Sequence, residues 1–161
     1  GLQIAHQPEW HTYWKNAGDS GLPTVLEWQL PQGIKAGDIA WPAPKKITIG
    51  TLANYGYENT VLLPVPLTVA QDFNGTQLDI KLKAAWLVCK KECIPQEGDF
   101  SLSIPVKSST ALQGNVFQAA FGAAKLARQC LDGANSAVGP AYRKPSRPAA
   151  CGGLERCVLP D

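Results

Sequence analysis

Cys89 and Cys93 stand with three residues between them in Trp86-Leu87-Val88-Cys89-Lys90-Lys91-Glu92-Cys93-Ile94-Pro95, at the end of an apolar run. The run Ala84 to Val88 reads as a buried or half-buried strand. Lys90, Lys91 and Glu92 break it with a charged turn that must be solvated, so the two thiols lie close together and near the surface. Such a pair is a structural staple, a working dithiol, or a soft two-thiolate seat for copper(I). A staple across so short a loop removes little chain entropy, whereas short-loop pairs suit dithiols that open and close. Half of a zinc site would need a second pair at ligand spacing, and Cys151 and Cys157 do not offer one. Lys90 and Lys91 favour the thiolate, the attacking form in disulfide exchange, and Glu92 opposes them. The spacing is CxxxC, not the CxxC of thioredoxins.

The rest of the composition narrows the setting. A chain of 161 residues is one domain, or one domain with an appendage, and can bury a core unaided. Net charge is only +2 and no basic run exceeds two residues, which argues against a nucleic-acid partner. No apolar stretch approaches the length of a bilayer span. The chain opens directly into Leu2-Gln3-Ile4-Ala5 with no leader pattern, as an excised fragment would. Cys130, Cys151 and Cys157 bring the cysteines to five, an odd count that leaves one thiol unpaired or paired between chains. A Cys151–Cys157 disulfide is compatible with the sequence. His6 and His11 are the only histidines, so a histidine-rich metal site is excluded. His11 alone reads as a structural histidine. Neither a metal nor an organic cofactor is expected.

The elements that position the cysteines are strands. Leu2 and Ile4 alternate with polar neighbours. Thr24 to Leu30 is a second strand, Asp38 to Trp41 a short third and Lys46 to Ile49 a fourth. Thr60 to Val69 is long and β-rich, and its prolines suit an edge or a bulge. Asn74-Gly75 predicts a two-residue hairpin turn. After it, Leu78, Ile80 and Leu82 share one face of a strand that runs on to Cys89, with Asp79, Lys81 and Lys83 on the other. Phe100 to Val106 alternates again. Many short strands with turns about every 8–12 residues predict an all-β, immunoglobulin-like antiparallel sandwich. The character changes after Lys107. Ser108-Ser109-Thr110 fits a helix cap, and Leu112, Val116, Ala120 and Ala124, with Phe117 and Phe121, give a helical stripe to about Cys130. The segment from Asp132 to Asp161 is rich in Ala, Gly, Pro and Arg and lacks a core pattern. The expected division is therefore 1–107 for the sandwich and 108–161 for a helical, then irregular, extension.

Trp10-His11-Thr12-Tyr13-Trp14-Lys15-Asn16-Ala17-Gly18-Asp19-Ser20-Gly21-Leu22-Pro23-Thr24 resembles a signature of the DsbD-like thiol:disulfide interchange proteins. So do Trp28 to Gly33, Ile39 to Pro44 and Tyr55 to Glu58, and Trp86 to Pro95 resembles the cysteine region of their N-terminal periplasmic domain. The likeness covers about residues 1 to 107. The shorter cysteine spacing is similar to the suppressor-of-copper-sensitivity branch, which keeps copper tolerance in view. Relatives usually carry a further strand upstream, and the tail from about residue 122 has no counterpart.

The resemblance implies an immunoglobulin-like redox domain in the bacterial periplasm, part of an inner-membrane protein that continues into a transmembrane domain and a thioredoxin-like domain. It implies a protein-disulfide reductase component. Electrons would pass from the membrane-embedded reductase and its thioredoxin-like domain through Cys89 and Cys93. The acceptors would be periplasmic thioredoxin-fold disulfide isomerases or cytochrome c maturation proteins. Cys93 would attack and Cys89 resolve, under a cap placed at Lys46 to Tyr57. The rival expectations are a non-catalytic immunoglobulin-like binding module with a structural disulfide, and a copper(I)-handling domain. The five tryptophans read as core packing. Tyr13, Tyr55 and Tyr57 read either as packing or as phenols lining the cysteine site.

Overall fold

The computed structural model describes residues 1–106 and 114–124. Its centre is a six-stranded antiparallel sheet. β9 (Gln77–Cys89) and β10 (Cys93–Pro105) form a long ribbon at one side, paired residue for residue from Gln77↔Pro105 to Cys89↔Cys93. The other side of β9 is shared. β3 (Val25–Gln29) pairs with its middle, and β2 (His11–Gly18) meets it only at His11↔Cys89. β6 (Leu52–Glu58) joins β2, and β5 (Lys45–Ile49) closes the far edge. Two small sheets make the facing layer: β1 (Leu2–Ala5) with β7 (Thr60–Leu63), and β4 (Ile34–Ala36) with β8 (Leu67–Val69). The expected immunoglobulin-like antiparallel sandwich is the architecture found.

The core lies between the layers because the period-two pattern of the strands puts one face of each inward. Leu78, Ile80, Leu82 and Ala84 of β9 are buried, while Asp79, Lys81 and Lys83 between them are exposed. Leu82 and Ala84 pack with Leu2, Leu26, Trp28 and Trp86, and Leu78 and Ile80 pack with Ile34 and Leu67. Trp14, Tyr55, Tyr57, Val61 and Leu63 form a second cluster, with Trp41 beside it. The tryptophans are thus mainly packing groups, with Trp10 half-buried on a groove wall.

Three expectations are corrected. Asn74-Gly75 does not make a hairpin, since β8 and β9 lie in different sheets and neither residue has positive φ. The chain turns earlier, with the Phe73 N–H donating to the Ala70 carbonyl at 3.1 Å, and crosses between layers. The strands on either side stack face to face, through Leu67 against Leu78 and Ile80, so their apolar faces overrule the turn dipeptide. Asp38 to Trp41 is not a strand, although Gly37 and Ala40 donate to the carbonyls of Pro66 and Pro64 at 2.9 and 2.8 Å. Pro64 and Pro66 have no N–H to return, so no ladder forms. The same prolines divide Thr60 to Val69 into β7 and β8.

Residues 114–124 are helical, with Phe117 and Ala120 half-buried, Ala124 buried, and Val116 and Phe121 exposed. Leu112, the Ser108-Ser109-Thr110 cap, Cys130, Cys151, Cys157 and the tail lie outside the described residues. Among the described residues no helix is long and apolar enough to cross a membrane.

Candidate functional site

The β9–β10 turn is closed by a disulfide between Cys89 and Cys93, whose Cα atoms are 4.2 Å apart. The two residues face each other directly across the ladder. Their environments differ sharply. Cys89 is 1 % exposed and packs with Tyr13, Ala17 and Leu87, whereas Cys93 is exposed at the start of the edge strand. Both thiols therefore do not sit near the surface, as the charged turn predicts. Cys89 ends β9 on the face opposite Leu78 to Ala84 and is buried there against Tyr13, Ala17 and Leu87, and Cys93 is the first residue beyond the turn.

The charged turn is tied down. The Lys90 N–H donates to the Glu92 carbonyl at 3.1 Å, and the Lys90 ammonium is salt-bridged to Glu9. Glu9 has a left-handed backbone, and its carboxyl is held below the usual range by the hydrogen bond and charge of Lys90. Lys90 is thus spoken for by Glu9, so its expected pull toward the thiolate is weakened, and Lys91 is the exposed cation of the turn.

Beneath Cys93 lies Tyr13, 1 % exposed, with its hydroxyl 3.8 Å from Cys93 Sγ. The same hydroxyl is 3.3 Å from Nε2 of His11, which is 3 % exposed and stands edge-on to the phenol. His11 and Tyr13 share one face of β2 because they are two residues apart on a strand. Burial pushes the Tyr13 phenol up and the His11 imidazole down, with Glu58 opposing the second shift. His6 stands nearby. Its Nδ1–H donates to the Asn59 carbonyl at 2.6 Å, and its Nε2 lies 3.0 Å from Thr12 Oγ1.

The loop after β2 covers Tyr13. Gly21, at φ +98°, lies flat on the phenol ring, where an added Cβ would be 2.3 Å from Cε1. Only glycine tolerates both that φ and that approach. The loop is anchored by the buried Asn54, whose Oδ1 accepts from the Ser20 N–H and Oγ at 2.9 and 3.1 Å. Asp19 Oδ2 accepts from the Ala53 N–H at 2.8 Å. Asp19-Ser20-Gly21 is thus the clamp on the site's tyrosine. Asn54 was missed, because no spacing rule links it to a loop 34 residues away.

Tyr55 and Tyr57 do not line the site. Both lie in the core cluster, and the Tyr57 hydroxyl donates to the Pro42 carbonyl at 2.8 Å. Lys46 to Tyr57, the expected cap, is the β5–β6 hairpin turning at Gly50, and Cys93 is exposed in this arrangement. A groove of about 450 Å³ lies between β1 and the β9–β10 ribbon, with Trp10, Trp86, Val88 and Ile94 in its walls and neither cysteine lining it. Among the described residues no group of three or more His, Cys, Asp or Glu side chains is placed to hold a metal.

Residues 1–105 match the family model for the N-terminal domain of the thiol:disulfide interchange protein DsbD. The chain belongs to the DsbD N-terminal family. It is therefore a domain of the thiol–disulfide exchange class, and the Cys89–Cys93 disulfide is the feature that fits it to that class. No curated protein matches the chain. Among solved structures it is similar to the N-terminal periplasmic domain of ScsB from Proteus mirabilis, at 21 % identity and a TM-score of 0.49. That likeness covers 73 % of this chain and 44 % of the other, so the chain spans less than half the length of that relative.

Proposed function

We propose that this domain is a protein-disulfide reductase component of the bacterial periplasm, exchanging disulfides through Cys93 with Cys89 as the resolving thiol. The observation that carries the assignment is the asymmetry of the pair: Cys89 is 1 % exposed, and Cys93 is open to an incoming sulfur. In the reduced domain the Cys93 thiolate attacks a partner's disulfide, forming a mixed disulfide and expelling one partner thiolate. Cys89 then attacks Cys93 Sγ, the second partner thiolate leaves, and two electrons have moved to the partner. Reloading runs the same steps backwards from a donor dithiol. Family membership supports a thioredoxin-like donor domain on a membrane-embedded reductase, and periplasmic thioredoxin-fold acceptors.

A purely structural staple explains less. The disulfide spans a sequence separation of only 4, so a cross-link there restricts the unfolded chain less than one closing a long loop would. The test is the reduction potential of the pair, measured by equilibration with glutathione and thiol trapping with Cys130, Cys151 and Cys157 replaced by Ser. A value of roughly −120 to −270 mV is expected. A value below about −300 mV would make the disulfide a staple and end the exchange assignment.

A further inference from the structure

We infer that Tyr13 and His11 form a two-step proton relay serving Cys93, with His11 acting through Tyr13 as the residue that stores the proton. The inference rests on Cys93 being the exchanging sulfur. An imidazole enclosed to 3 % exposure is costly unless its nitrogens are engaged. Among the described residues its side-chain hydrogen bond is to Tyr13, and Tyr13 in turn touches the reacting sulfur. The three polar atoms are connected in series, Nε2 to the phenol oxygen at 3.3 Å and the phenol oxygen to Sγ at 3.8 Å. That line begins inside the fold and ends at the exposed cysteine.

Its direction follows from the redox state. In the disulfide neither sulfur carries a proton, so the Tyr13 hydroxyl donates to Cys93 Sγ and its oxygen accepts from His11 Nε2–H. In the dithiol the line reverses, with the neutral imidazole in its Nδ1–H tautomer: Cys93 S–H donates to the Tyr13 oxygen, and Tyr13 O–H donates to the bare Nε2. Moving both protons one step along the line gives a Cys93 thiolate, a neutral Tyr13 and a His11 imidazolium. No tyrosinate forms, which suits a phenol whose burial disfavours its anion. The thiolate attacks the partner's disulfide, an S–S bond forms at Cys93, and the bond within the partner breaks with its electron pair on the departing sulfur. The proton held on His11 returns through Tyr13 to that sulfur. A docked partner keeps bulk water from Cys93, so an internal proton acceptor does what solvent does for the free domain.

The groups around His11 set its affinity for the proton. Glu58 of β6 stands opposite it in the ladder and favours the imidazolium, although Lys45 is 3.8 Å from that carboxylate. His6 opposes a second positive charge. Cys89 of β9 faces it from the other side and is uncharged in the disulfide. Burial lowers the ring's affinity for a proton, and the Glu58 carboxylate opposes that shift.

The experiment uses the full chain with Cys89, Cys130, Cys151 and Cys157 replaced by Ser, leaving Cys93 as the lone thiol. The rate of alkylation by iodoacetamide is followed against pH for this parent, His11→Gln, Tyr13→Phe and the double variant. Glutamine fills the space and can donate to the phenol oxygen, but it cannot store a proton. The relay requires each single variant to slow alkylation at pH 7 by about tenfold or more, with the double variant no slower than either. A His11→Gln profile that superimposes on the parent overturns it and leaves a merely structural histidine. A second measurement needs no change at His11: the imidazole is titrated by proton NMR before and after Cys93 is blocked. The relay requires the His11 titration to move to lower pH once the thiolate is gone, and an unmoved titration overturns it. An exchange-range potential for the Cys89–Cys93 pair alongside coincident alkylation profiles sinks the relay and leaves the exchange reaction standing. A staple-range potential sinks both.

Discussion

The two ends of β9 do different work. From Gln77 to Ala84 the strand alternates cleanly, and its inward residues Leu78, Ile80, Leu82 and Ala84 are no more than 7 % exposed. It is paired there by β10 on one side and by β3 on the other from Lys81 onward. From Trp86 to Cys89 the alternation decays, with Trp86, Leu87 and Val88 all half-buried, and β2 touches the strand at one residue pair. What replaces apolar packing there is a polar line, His11 to Tyr13 to Cys93, covered by a loop that Asn54 pins. On the proposed exchange chemistry, stability and reactivity are divided along a single strand. The apolar end fixes the register, and the polar end is where the proposed exchange forms and breaks a covalent bond.

That division can be broken from either side. The largest effect belongs to the reactive end. Cys93→Ser abolishes reduction of a thioredoxin-fold acceptor's disulfide, while Cys89→Ser accumulates a mixed disulfide, both read on non-reducing gels. Next comes the packed end, where Leu82→Ala costs about 2–5 kcal/mol in denaturant unfolding. It leaves the potential of the cysteine pair unchanged; a shifted potential would mean the ends are not separable. Gly21→Ala sits between them. The positive φ and the contact with the Tyr13 ring predict about 1–3 kcal/mol of destabilisation, together with slower alkylation of Cys93.

Smaller still is a pH effect. His6 and His11 both have imidazoles lowered by burial, so the unfolded chain binds their protons more readily. Their contribution to stability is full above the unfolded value of about 6.5 and is lost as pH falls through the lowered folded values. Tm should therefore drop between neutral and mildly acid pH, and His11→Gln should flatten the slope. An equal slope in the variant would place the effect elsewhere. Smallest is Glu9→Gln, which releases Lys90 from an exposed pair. Thermal unfolding should be unchanged within error, while alkylation of Cys93 rises slightly at low salt, as the freed ammonium favours the thiolate.

Much of this was written locally. The period-two pattern of Gln77 to Lys83 and the apolar run into Cys89 dictate a half-buried strand ending at the cysteines, because side chains alternate across a strand whatever surrounds it. The two cysteines, with a charged turn between them, dictate a hairpin that can close a disulfide. The signature blocks were enough to place the chain in its family. Other features had no local signal. Asn74-Gly75 has the composition of a hairpin turn, but the faces of β8 and β9 stack across the core and the turn does not form. The charged turn predicts two surface thiols, but only packing against Tyr13 and Ala17 makes one of them inaccessible. His11 alone reads as a structural histidine, and what sets it in line with Cys93 is Tyr13, 80 residues away from that cysteine in the chain. Sequence fixes which face of a strand a residue occupies, because that depends on the backbone alone. Which sulfur is exposed, and what lies against it, depends on contacts between strands distant in sequence, and tertiary structure decides those.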